Sequence, residues 1–228
     1  QRAVFDMYPA ILRNRFLWPA LGNHETSQST TATDFPYLHI FSLPRNAEGG
    51  GVASGTEKYY SFDYGNIHFI CLDSMTSGQT GTTPMADWLR SDLAAVTAEW
   101  IIVYFHHPPY TKGSHDSDRE GDLVAIRANI VPILESNSVD IVLSGHSHCY
   151  ERSYLLHGHY GLSTTLASSM KLDPGDGRID GTGAYRKDAE GHGVVYAVGG
   201  SSGQATGGSL DHPAYFISLN ELGSMVID

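Results

Sequence analysis

The chain has 228 residues, 41% hydrophobic and 17% charged, with 14 basic against 25 acidic side chains and a net charge of −11. That length suits one large domain, and the composition excludes a disordered chain, a coiled coil and a collagen-like repeat. The acidic balance argues against an electrostatic grip on nucleic acid or an anionic membrane surface, and no apolar run approaches the ~20 residues of a spanning helix.

In chain order, Val4, Phe5, Tyr8, Ile11, Leu12 and Phe16 recur at helical spacing and predict a short amphipathic helix over residues 3–16. Residues 16–21 read as a strand that runs straight into Gly22-Asn23-His24-Glu25, and the Ser/Thr/Gly/Pro-rich stretch 26–56 reads as a long excursion. Residues 59–64 and 67–73 are strand-like and joined by Gly65-Asn66, a two-residue hairpin signal. Thr83-Pro84 opens a helix as N-cap and first helical residue, with Met85, Leu89, Leu93 and Val96 as its apolar stripe. Trp100–Phe105 is apolar throughout and predicts a strand buried on both faces, followed at once by His106-His107-Pro108-Pro109-Tyr110. A helix over 122–135, bent at Pro132, precedes a third buried strand at 139–143 and the run Ser144-Gly145-His146-Ser147-His148. Residues 163–193 read as irregular, and 194–198 and 225–227 as late strands. Strands alternating with polar loops and helices predict an α/β layered domain. Cys71 and Cys149 are read as buried thiols at strand ends, because two cysteines make no disulfide scaffold.

Three apolar strands thus end in ligand-type residues: Asn23-His24-Glu25, His106-His107 and His146-Ser147-His148. In α/β sheets ligand sites form at the carboxyl ends of strands, so the three clusters can converge. Neutral imidazole is the commonest metal ligand among side chains, and amide oxygen and carboxylate suit harder divalent ions. In a turn, the two histidines at i and i+2 can reach neighbouring ions. Gly22 and Gly145 are expected to take positive φ at tight exits from strands.

GNHE at 22–25, YFHHPPY at 104–110 and GHSHCYER at 145–152 resemble the last three motifs of the calcineurin-like metallophosphoesterases, most closely the purple acid phosphatases and their bacterial relatives. The likeness extends over residues 59–74, 106–118 and 194–203. It implies a four-layer αββα sandwich, lacking its first strands, with 1–228 a single partial catalytic domain. It also implies a binuclear metal centre, Fe with Zn, Mn or Fe, whose activated hydroxide hydrolyses a small phosphate ester. Carried over by position, the resemblance makes Asn23, His106 and His146 ligands of one metal and His148 a ligand of the other. His24 would stand beside the substrate phosphate as a charge stabiliser or proton donor, with His115 as a second substrate contact. Arg152 is read as structural.

Two earlier motifs of that family, an Asp-centred DxG-type motif and GDxxY, supply the bridging carboxylate and the Tyr of the purple chromophore. Neither occurs in the 21 residues before Gly22. The chain is therefore expected to be part of a longer protein, to hold at most one ion well, and alone to be inactive or nearly so and not purple; two tightly bound metals with full turnover would mean that another residue, such as Glu25 or Asp73, supplies the bridge. The alternative is a truncated or degenerate relative that serves as a non-catalytic metal-binding module. Location outside the cytoplasm, extracellular or periplasmic, is implied by the resemblance alone.

Overall fold

The computed structural model describes residues 9–27, 34–173, 175–178, 180–188 and 190–227. Three short helices come first: α1 (Pro9–Leu12), α2 (Asn23–Thr26) and α3 (Pro36–Ile40). Then follow β1 (Tyr60–Tyr64), β2 (Ile67–Cys71), α4 (Pro84–Ala95), β3 (Trp100–Phe105), α5 (Gly121–Asn129), α6 (Val131–Glu135) and β4 (Ile141–Ser144). The chain continues through β5 (Tyr150–Leu156), β6 (Lys171–Asp173), β7 (Val194–Gly199) and β8 (Tyr215–Leu219). The strands form one eight-stranded sheet in the order β1-β2-β3-β4-β7-β5-β6, with β8 pairing β5 beside β6. Pairing is parallel from β2 through β3 and β4 to β7, and antiparallel at both flanks. The expected α/β class holds.

Local chemistry explains most of these elements. Gly65 turns the β1–β2 hairpin with a φ of 63°, a conformation that only glycine adopts without a Cβ penalty. Thr83 caps α4 by accepting the Ala86 N–H at 3.2 Å, and Pro84 supplies the pre-set φ of the first turn. The helix expected over 122–135 is two: α5 ends at Asn129, and Pro132 sits in the first turn of α6, where a missing N–H costs nothing.

Strand alternation divides the side chains between two cores. Ile101, Val103, Phe105, Val142, Tyr196 and Val198 face α4–α6 and pack with Leu89, Leu93, Ile126, Ile130 and Leu134. Each such Leu or Ile contributes ~1.5–3 kcal/mol by leaving water. On the other face Tyr60, Phe62, Phe69, Cys71 and Tyr104 pack with Leu21, Phe35 and Tyr37. Further along that second face Ile141, Leu143, Val195 and Ala197 line a groove of about 940 Å³, bordered by residues 222–227.

Two expected strands are absent. Of the helix expected over 3–16, residues 3–8 lie outside the described residues, and of the rest only Pro9–Leu12 is helical. Residues 16–21 form no strand: Phe16 is 88% exposed, and Pro19 has no N–H for a ladder. The Pro19 carbonyl instead accepts from the hydroxyls of Tyr37 at 2.7 Å and Tyr60 at 2.8 Å, while Trp18 stacks on Phe62 at 4.1 Å. Residues 225–227 are irregular, with Val226 80% exposed, and β5, β6 and β8 form where no strand was expected. Both cysteines are free and buried, as expected.

Besides His107, three buried histidines lie in this framework among the described residues. His68 on β2 stands between two carboxylates, with Nδ1 2.6 Å from Asp63 Oδ1 and Nε2 2.9 Å from Asp92 Oδ2. His159 stacks on Tyr110 at 5.5 Å between centroids, and His212 lies 6.4 Å from His159. Burial pushes His159 down to about 4 and His212 down to about 3.

Candidate metal centre

The parallel register sets Phe105, the last residue of β3, beside Ser144, the last of β4. The next residues, His106 and Gly145, are therefore neighbours, and the Gly145 N–H donates to the His106 carbonyl at 3.1 Å. Asn23 arrives from the first turn of α2, where Glu25 accepts the Gly22 N–H at 3.1 Å. The three side chains meet: His106 Nε2 lies 2.8 Å from Asn23 Oδ1 and 2.9 Å from His146 Nδ1.

The backbone solution differs from the one expected. Gly22 has φ −118°, and it is His146, a non-glycine, that takes a positive φ of 62°. Space is tight at Gly22 instead, since an added Cβ would lie 2.9 Å from Glu25 Oε2 and 3.0 Å from His106 Nδ1. The left-handed turn at His146 swings its ring back over the end of β3, which an extended exit would not do.

Burial first, then the neighbouring histidines, holds both rings neutral. His106 is pushed down to about 3, by burial and then His146, His107, His24 and His115. His146 is pushed down to about 4, by burial and then His115 and His107. Neutral imidazole is the form that ligates a metal. Two imidazole nitrogens and one amide oxygen facing a common point fit a divalent ion of the Zn, Mn or Fe type.

The other expected residues fall around this centre in different ways. His115 stacks on His146 with centroids 3.7 Å apart. His24, next to Asn23 on α2, is exposed, and it is near enough to His106 to lower that ring's pKa. His148 occupies the same turn as His146, but its Nδ1 is 3.2 Å from Thr206 Oγ1 and it does not join the converging set. Asp73 is committed to its own loop, accepting from Met75 N–H at 2.8 Å, Thr76 N–H at 2.9 Å and the hydroxyls of Thr76 and Ser77. Arg152 binds the Asp176 carbonyl at 2.8 Å and covers the Phe216 ring, a structural arrangement.

Glu120 was not singled out from the sequence, and His107 was read there only as part of a ligand-type run, with no role of its own. Glu120 Oε2 is 2.8 Å from His115 Nδ1 and 3.7 Å from His146 Nε2, so one carboxylate faces both rings. His107 is buried, with Nδ1 3.1 Å from the Ser74 carbonyl, and its ring meets His146 edge-on at 4.6 Å. Glu120 sits 14 positions after His106 outside any recognisable motif, so only the fold brings it in.

A mixed α/β sheet with metal-type ligands gathered at the carboxyl ends of adjacent parallel strands defines a candidate metal-binding α/β protein. The chain belongs to the calcineurin-like phosphoesterase family, whose family model matches residues 3–150. It is similar to purple acid phosphatase 18 of Arabidopsis thaliana, 34% identical over 137 residues that cover 58% of this chain and 30% of that one. Purple acid phosphatase 15 of the same plant is 32% identical over 172 residues, covering 68% of this chain and 31% of the relative. A protein of Mycobacterium tuberculosis is 28% identical over 215 residues, 87% of this chain and 37% of that one. The fold is similar to purple acid phosphatase PPD1 from yellow lupin seeds, with a TM-score of 0.54 at 16% identity over 75% of this chain and 28% of that chain. The chain spans roughly a third of the length of the relatives it matches.

Proposed function

We propose that this chain is a partial catalytic domain of a phosphatase of the purple acid type, hydrolysing small phosphate esters at a binuclear metal centre. The observation that supports this best is the approach of both Asn23 Oδ1, at 2.8 Å, and His146 Nδ1, at 2.9 Å, to His106 Nε2. These three would hold one ion and His148 would contribute to the second. When bound, the metal pair supplies Lewis acidity, offsetting phosphate charge and acidifying a water.

The remaining work falls to the chain's own groups. His24, exposed beside the ligand Asn23, is free to reach the phosphate and pass a proton to the departing oxygen, a role typically worth ~10²–10⁴ in rate. His115 Nδ1 faces the Glu120 carboxylate, which holds the ring against His146 and leaves Nε2 for the substrate. The cations of the adjoining loop, Lys112 and Arg119, are paired with Asp116 and Asp118, so bound metals would carry the electrostatic burden. Export to the extracellular or periplasmic space is part of the proposal and rests on the likeness to purple acid phosphatases.

Counting ions bound after loading with Zn²⁺ or Mn²⁺ tests the reading. One tightly held ion, lost in Asn23→Ala, supports the site; no bound ion overturns it. Hydrolysis of a chromogenic phosphomonoester is to be assayed in a protein extended to the length of the relatives. Metal binding without turnover there would favour a non-catalytic metal-binding module.

A further inference from the structure

The turn that carries His146 is held from behind by a buried polar cluster. Thr111, Ser147, Cys149 and Glu151 are each fully buried. Thr111 Oγ1 lies 2.8 Å from Ser147 Oγ and 2.5 Å from Glu151 Oε2, and it accepts the Gly113 N–H at 3.1 Å. The Lys112 N–H donates to Glu151 Oε1 at 3.3 Å, and Cys149 Sγ is 3.4 Å from both Ser147 Oγ and Glu151 Oε2. Burial raises the Glu151 pKa, opposed by Thr111, the Lys112 N–H and Cys149.

Each member belongs to a different part of the site. Glu151 is on β5, paired on one side with Val198 of β7 and on the other with Ser218 of β8, so its backbone is fixed by the sheet. Thr111 lies in the loop that begins with His106, and Ser147 stands between His146 and His148. The fit is tight: a Cβ on Gly113 would lie 2.3 Å from Ser147 Oγ, and one on Gly200 would lie 2.1 Å from the Ser147 carbonyl. Apolar side chains would fill this space with less desolvation, whereas a satisfied polar network selects one geometry.

We infer that Glu151, acting through Thr111 and Ser147, is a positioning residue that fixes the 145–148 turn with His146 in its left-handed conformation, and thereby sets the affinity of the Asn23–His106–His146 site for a divalent ion. The inference rests on the metal reading of that site, and its test has one arm without metal. Thr111→Val keeps shape and removes the hydroxyl; Thr111→Ser restores it. In the metal-free chain, amide hydrogen exchange at Ser147 and Cys149 should quicken about tenfold in Thr111→Val, the cost of one hydrogen bond, while β4 and α5 stay within about twofold. Zn²⁺ affinity, measured against a chromophoric chelator, should fall about 10–100-fold, as for lost outer-shell support. Thr111→Ser should recover both. Unchanged exchange in the turn, unchanged Zn²⁺ affinity, or no recovery with Ser would overturn the inference. If the parent chain binds no Zn²⁺, the metal reading fails and the exchange arm alone decides whether the clamp exists. Should Thr111→Val not fold, Glu151→Gln takes its place under the same criteria.

Discussion

At the scale of single residues, the candidate centre separates groups that would touch the ion from groups that hold them. Removing His106 would delete a candidate ligand atom, whereas removing Glu120 would leave the candidate ligands present but free the rings of His115 and His146. Outer-shell losses typically cost about 10–100-fold in metal affinity, so Glu120→Ala should lose that much and His106→Ala should lose more. Calorimetric titration with Zn²⁺ checks the order, and a Glu120→Ala affinity equal to the parent's would remove that residue from the site. The candidate ligands were legible in the sequence as short polar runs that follow apolar segments, although the segment before Asn23 forms no strand. Glu120 was not legible, because a lone carboxylate on a loop carries no periodicity and no spacing rule. The positive φ of His146 was hidden for a related reason: a neighbouring glycine offered an easier place for the same turn.

At the scale of elements, the sequence spoke clearly wherever local and tertiary preferences agreed. β3 and α4 have an apolar run and a cap respectively, and both formed within a residue or so of expectation. Residues 16–21 look equally apolar, yet Pro19 cannot join a ladder and its carbonyl is taken by two tyrosine hydroxyls. β5 was missed because it mixes Glu151, Arg152 and Ser153 with apolar residues, and Glu151 and Ser153 are buried for reasons that only the fold supplies. The cap of α4 offers a control for the metal experiments. Thr83→Ala removes the acceptor for Ala86 N–H and should lower stability by ~1 kcal/mol in urea unfolding. Its Zn²⁺ affinity should match the parent's; a drop would show that helix stability alone governs the site.

At the scale of the whole molecule, buried histidines give stability two opposed dependences on pH. His159 and His212 sit below their ordinary 6.5, at about 4 and about 3, because burial disfavours the imidazolium. The unfolded chain binds those protons first, so stability is full above the ordinary value and declines as pH falls below 6.5. His106 and His146 add to the same decline. His68 works in the other direction: burial lowers its pKa, but Asp92 and Asp63 outweigh that and raise it overall. Its contribution is present in acid and fades as pH rises through the raised value. The urea midpoint of the metal-free chain should therefore drop between about pH 6.5 and 4, and His159→Leu should flatten the drop. An equally steep decline in that variant would assign the acid loss elsewhere.

The two free thiols lie on opposite sides of the sheet, Cys149 in the core beneath α4–α6 and Cys71 in the core beside Trp18 and Tyr37. Burial pushes both up to about 12, so neither reacts with a thiol reagent while its own side stays closed. The chain thus contains its own pair of clocks. Mass-resolved labelling under native conditions would time the opening of each face separately, and a single shared rate would mean that the two cores let go together.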